Sequence, residues 1–286
     1  MPVPAVLIGL GLALGSAATG PPTDEQILAR AEAAYREGLK VQATSLTARN
    51  SFARAAAGFE ELRRRGADNP SLYVNLGQAY LLAGDLPRAI LAYQRGLRLD
   101  PDNADLQERL EDARNQVVYT TPGAFGRPPV DNWPPWLPRL TMRTRLVVVL
   151  FLYSLACVCF TRWLMTRPGW CLSLAASAFS TAAFLGVGLA FEQSERSWED
   201  AHPLVVLTAD KVVLHKGDGG NYPCYDAQAK IWLEAAGSVP AAASALHRGV
   251  EARLRFDRGR WVQIELASGE VGWVRRRDIL TDSPDG

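Results

Sequence analysis

Three histidines (His202, His215 and His247) and four cysteines (Cys157, Cys159, Cys171 and Cys224) are the side chains best suited to ligate a metal or attack a carbonyl. No histidine stands at metal-ligand spacing from a cysteine or carboxylate, and Cys157, Cys159 and Cys171 fall inside apolar runs. Cys224, alone in its region, suggests no bridge. No Gly-Lys phosphate loop, paired-carboxylate motif or nucleophile–base–acid grouping stands out. The expectation is a protein that recognises rather than catalyses, without metal or cofactor. Arg275, Arg276 and Arg277 form the densest cationic run, which either meets an anionic headgroup or wall polymer or is a solvated face.

The elements that position these residues differ along the chain. With 286 residues the sequence exceeds one typical domain, and its 48% apolar and 21% charged content excludes wholesale disorder. Thirty-one basic residues against 30 acidic ones leave a net +1, which argues against a nucleic-acid binder that works by neutralising phosphates. The apolar content is concentrated. Leu146–Thr161 holds no charge, Arg162 interrupts, and Trp163–Met165 completes a 20-residue stretch. After Arg167 the run Pro168–Phe191 is uncharged for 24 residues. A helix needs about 20 residues to cross a ~30 Å hydrocarbon core. Both runs satisfy that, the first if Arg145 and Arg162 snorkel. The expectation is a two-helix transmembrane hairpin, helices 144–166 and 168–191, with both flanks on one side.

Met1–Gly20 is apolar and ends in small residues. Ser16 and Ala18 fit the −3 and −1 positions of a signal-peptidase site, which makes residues 1–18 a signal peptide; an uncleaved anchor is the alternative, since no Lys or Arg precedes the run. Arg162 and Arg167 favour a cytoplasmic turn, while Arg139, Arg143 and Arg145 pull the other way. The amino-terminal signal acts first, so both soluble parts are expected outside the cytoplasm, tethered to an inner membrane.

Residues 24–119 have the look of helices with short connections. Within Pro70–Asn103, Tyr73, Leu76, Gly77 and Tyr80, then Ala89, Tyr93, Gly96 and Pro101, stand at the places of a tetratricopeptide repeat, which this window resembles at essentially every signature position. Small Gly77, Ala89 and Gly96 let two antiparallel helices approach, Gly84-Asp85 turns, and Pro101 ends the pair. Upstream, Ile27–Gly38 and Ala48–Arg65 resemble a degenerate preceding pair, and Asn103–Val118 a capping helix. The resemblance implies a concave face that binds a polypeptide, onto which Asn75, Gln78 and Leu82 project; the competing role for all three is plain solvent exposure.

Residues 120–143 are expected to be a Pro-rich linker, with Trp133 and Trp136 near a bilayer interface. Residues 203–282 change to short alternating runs at Leu204–Thr208, Val212–His215, Val250–Phe256, Trp261–Leu266 and Val271–Val274, which spell a small antiparallel barrel. Gly272-Trp273, preceded by a hairpin carrying Trp261, resembles the end of a bacterial SH3-like domain. Lys216–Tyr222 takes the place of that family's glycine-containing loop, and Cys224–His247 stands as an Ala-rich insertion outside the core. Tyr222 and Trp261 are the aromatic candidates for a ligand surface, with core packing the competing role for Trp261 and Trp273.

The order of parts (export signal, tetratricopeptide unit, spacer, membrane hairpin, SH3-like module) resembles BatE-type proteins of bacterial aerotolerance (Bat) operons. The fold expected is thus a multidomain membrane protein: all-α repeat, transmembrane hairpin, all-β SH3-like small barrel. The resemblance implies a non-catalytic membrane scaffold whose protein partners include membrane proteins bearing von Willebrand A domains. Peptidoglycan binding through the SH3-like module is the alternative.

Overall fold

Every helix of the first half starts where the sequence supplies a cap. The computed structural model describes residues 22–40, 45–119, 125–128, 142–166, 169–170, 173–183, 187, 201–234, 240 and 243–282. In α1 (Asp24–Lys40) the Thr23 and Gln26 side chains each bond the other's backbone, a reciprocal capping box. Ser45 Oγ accepts from Ala48 N–H at the head of α2 (Leu46–Arg64), and Asn69 Oδ1 from Leu72 N–H, 2.8 Å, before α3 (Pro70–Ala83). Asp85 and Asn103 do the same for α4 (Leu86–Leu99) and α5 (Ala104–Arg114). Successive helices pack antiparallel-wise in order, and α3 also touches α5, the contact by which a helical repeat stacks. α1 and α2 begin and end within three residues of the expected bounds, whereas α5 stops at Arg114, short of the expected Val118.

Gly77 shows why the α3–α4 pair closes. A Cβ there would enter the ring of Tyr93, which is fully buried. Phe52, Phe59, Leu76 and Ile90 fill the remaining space between helices.

The second half opens with α6 (Met142–Thr166), whose Leu146–Met165 stretch has mean hydropathy 2.0 and is only 11% buried. It is the one helix among the described residues long and apolar enough to cross a membrane. Residues 173–183 are also helical, and a cavity of about 340 Å³ is lined by Tyr153, Ala156 and Phe160 on one side and Ala175, Ala176 and Phe179 on the other. Residues 1–18, most of the Pro-rich stretch, and 188–200 lie outside the described residues.

Among the described residues nine short strands follow: β1 (Leu204–Leu207), β2 (Val212–Val213), β3 (Cys224–Asp226), β4 (Ile231–Leu233), β5 (Ala245–Leu246), β6 (Glu251–Asp257), β7 (Trp261–Leu266), β8 (Val271–Arg275) and β9 (Ile279–Thr281). The main sheet is antiparallel in the order β8-β7-β6-β1-β9, with smaller pairs β2-β5 and β3-β4. In β7 the alternation puts Val262, Ile264 and Leu266 inward, fully buried or nearly so. Bridges from His215 to both Cys224 and Trp273 stitch the small pairs to β8. The described part of Cys224–His247 is not an appendage. Cys224, Tyr225 and Leu246 are core residues, because β3 pairs with β4 and β5 with β2; short strands with little alternation left no periodic signal.

A larger departure from expectation concerns how the two soluble parts relate. One continuous core runs from Leu86, Ile90, Leu110 and Val117 of the helical unit into Val205, Leu207, Val250 and Ala252 of the sheet. Gly249 lies at the contact with φ +90, and a Cβ there would meet Val117, Leu86 and Ile90, so the loop needs glycine on two counts. Phe125 of the Pro-rich stretch is buried and stacks on Tyr225 with ring centroids 5.8 Å apart, and Ser268 Oγ accepts from Gly126 N–H. That part of the linker is therefore packed rather than a free spacer. The helical and sheet units form one body.

Candidate functional site

The face formed by α1, α3 and α5 carries the clearest polar constellation. Arg109 on α5 donates from Nη1 to Gln78 Oε1 on α3 at 2.7 Å, and the Tyr93 hydroxyl donates to the same oxygen at 3.3 Å. Asp105 accepts from Arg109 Nε at 2.8 Å, one helical turn away. Burial pushes the Tyr93 hydroxyl up to about 12, partly opposed by the Arg109 charge, so it stays protonated and donates across the physiological range. Tyr35 on α1 is shifted in the same direction by burial and feels Arg109 as well, and its ring packs edge-on to Phe52, 5.5 Å away.

This settles where the expected residues lie. Asn75 is exposed on α3. Gln78 is half-buried and committed to Arg109 and Tyr93, so it organises the face. Leu82 is half-buried near the end of the same helix. Tyr35, Asp105 and Arg109 complete the face and were missed, because each comes from a helix outside the best repeat; only the Asp105–Arg109 spacing hinted at them.

On the sheet unit, His215 touches the Tyr222 backbone on one side and the Trp261 ring on the other. The His215 Nδ1 lies 3.3 Å from the Tyr222 carbonyl oxygen, and its ring meets Trp261 edge-on at 5.2 Å. Tyr222 is 47% exposed, held over Gly217, while Trp261 is half-buried beneath the Arg275 guanidinium at 5.7 Å. Trp273 is a core residue, as its competing role anticipated, with Arg258 over its ring. Cys224 Sγ sits 3.7 Å from His215 Nδ1, but it is fully buried and burial pushes its thiol up, the environment of an inert thiol. The three consecutive arginines diverge: Arg275 covers Trp261, Arg276 pairs with Asp257, and Arg277 lies 3.6 Å from Asp278. Among the described residues no group of three His, Cys, Asp or Glu side chains could hold a metal.

Helix pairs stacked side by side, with a polar constellation across their first-helix face, define a helical-repeat protein of the kind that binds other polypeptides. Residues 40–104, which hold α2, α3 and α4, match the tetratricopeptide repeat family. No curated protein matches the chain.

Proposed function

We propose that this protein is a non-catalytic, membrane-anchored adaptor that holds a protein partner on its α1–α3–α5 face. The observation that carries this reading is the Gln78–Arg109–Tyr93 network, which joins three helices, α3, α4 and α5, and leaves Asn75 exposed on α3. A preorganised polar surface of this kind loses little rotamer entropy on binding. The anchor rests on α6, where Leu150, Phe151, Val158 and Leu164 are exposed side chains that water would disfavour and lipid would solvate. Ser154 and Thr161 donate back to the carbonyls of Leu150 and Cys157, both at 2.8 Å, and Ser173, Ser177 and Thr181 do likewise, as hydroxyls must where no water is present. With 173–183 packed by Ala175, Ala178 and Ala182, the pair suits a transmembrane hairpin made through small residues.

In this reading the sheet unit is a bacterial SH3-like module and the whole resembles BatE-type scaffolds. Its soluble body lies outside the cytoplasm, facing membrane proteins with von Willebrand A domains. A second reading, peptidoglycan binding by the sheet unit, is favoured by the exposure of the Tyr222 ring. One preparation tests both parts of the proposal. Carbonate-washed membranes retain the full chain, and a detergent extract of them yields protein partners that Asn75→Ala with Arg109→Ala loses. Recovery of the chain in the wash overturns the anchor, and unchanged partner recovery overturns the face.

A further inference from the structure

The main sheet has two ends, and one of them receives the chain from its apolar runs. The Pro203 carbonyl accepts from Leu254 N–H at 3.0 Å, and β1 runs antiparallel to β6 from there. The hairpin from β6 to β7 therefore turns at the end of the sheet where the chain enters. Ala201 lies ten positions after Phe191, the last residue of the second apolar run. Fully extended, that length of chain reaches at most about 36 Å. A tether this short gives the entry end of the sheet a high effective concentration at a bilayer, so a small contact area suffices to hold it there.

The side chains at that end suit such a contact. Residues 255–260 are exposed throughout. Phe256 is 64% exposed, the most of any large apolar side chain of the sheet unit among the described residues. Asp218 pairs with Arg258 at 2.8 Å, which brings to the same end the loop that carries the exposed Tyr222. Four of the arginines here have carboxylate partners: Arg255 with Glu265, Arg258 with Asp218, Arg276 with Asp257 and Arg277 with Asp278. Arg260 and Arg275 have none among the described residues, and Arg275 lies over the Trp261 ring instead. Arg276 N–H donates to the Arg260 carbonyl at 3.0 Å, so these two unpaired cations stand on adjoining strands. Exposed aromatic rings among guanidinium groups favour a membrane–water interface, where the rings lie at headgroup depth and the cations reach phosphate. Guanidinium groups bind phosphate in zwitterionic and anionic lipids alike.

We propose that this end of the sheet is a lipid-contact surface, which sets Phe256 and Tyr222 among the headgroups of the bilayer that α6 crosses, with Arg260 and Arg275 on lipid phosphates. The contact rests on the membrane-anchored reading of the chain and adds to it a docked orientation of the soluble body, the β6–β7 hairpin down and the β7–β8 turn away. The test uses the full chain in nanodiscs of phosphatidylcholine and phosphatidylglycerol, with one fluorescent label on a single cysteine and the four native cysteines replaced by alanine. Phe256→Cys reads the proposed contact, and Ala267→Cys, in the turn between β7 and β8, reads the opposite end. Lipids carrying a nitroxide headgroup are expected to quench the label at 256 at least threefold more than the label at 267. Arg260→Glu with Arg275→Glu should bring the two values together, and the milder Arg260→Gln with Arg275→Gln should shift them in the same direction should the reversals misfold. A chain that fails to co-migrate with the nanodiscs overturns the anchor and this contact with it. A chain that co-migrates but shows equal quenching at both positions, or quenching that neither arginine pair alters, overturns the contact alone. A label at 256 that responds to peptidoglycan fragments and not to the quenching lipid also overturns it, and assigns this end to the cell wall.

Discussion

At the scale of single residues, the structure sets tests of packing and of titration. Gly77→Ala inserts a methyl group against the Tyr93 ring, which has no space to move. Overpacking of about 1–3 kcal/mol outweighs the roughly 1 kcal/mol that alanine gains in helix propensity. Thermal unfolding should therefore show a lower midpoint. The Tyr119 hydroxyl is buried without a hydrogen-bond partner among the described residues, and burial, with the nearby Glu251 charge, pushes it up to about 12. A tyrosine raised in the folded state lends stability that is fully present below its ordinary value near 10 and is lost as pH rises toward 12. Tyr73 and Tyr93 are raised to the same value, chiefly by burial. Alkaline unfolding is thus expected between pH 10 and 12, followed by circular dichroism. Tyr119→Phe should leave stability at pH 7 unchanged or improved, since it deletes an unpaired hydroxyl, and should shift the alkaline midpoint upward.

Between elements, the decisive contact is the ionic clasp of α5 on β6. Arg114 donates to Glu251 through Nε at 2.6 Å and Nη2 at 2.9 Å, and Gln94 of α4 donates to the same carboxylate at 2.8 Å. Glu251 is 4% exposed. Burial alone would lower the Arg114 value, yet the Glu251 bonds and the Glu251 and Glu111 charges together leave it raised. Arg114→Ala leaves that carboxylate buried and uncompensated, at a cost of about 3–5 kcal/mol. Arg114→Met with Glu251→Leu removes both charges and should recover most of the loss in urea titrations. An effect of less than about 1 kcal/mol for the single variant would show the clasp to be wet. A second clasp, Arg95 to Asp282 at 2.6 Å with Arg98 on the same carboxylate, ties α4 to the chain after β9.

For the whole molecule, a shared core predicts shared unfolding. Residues 24–119 expressed alone expose Leu86, Ile90 and Val117, which the sheet unit covers in the full chain. That fragment should be less stable than the helical unit within the full chain, and the soluble body should unfold in one transition seen alike by helix and sheet signals. Two separated transitions would mean that the units are independent. The helices themselves were legible beforehand, because caps, glycines and a 34-residue pattern are local properties of consecutive residues. The main strands were legible for the same reason, since a half-buried strand writes its burial as alternation. The union of the units was not. Glu251 reads as one more strand carboxylate and Arg114 as the end of a solvated capping helix, until folding sets them within 3 Å across 137 positions of chain. Gln78 likewise looked like a free partner contact, and only the stacking of α5 on α3 turned it inward to hold Arg109. Local order is written in neighbouring residues because turns, caps and pleats are short-range. Which faces meet is decided by desolvation and shape over the entire chain, and for that the tertiary structure was needed.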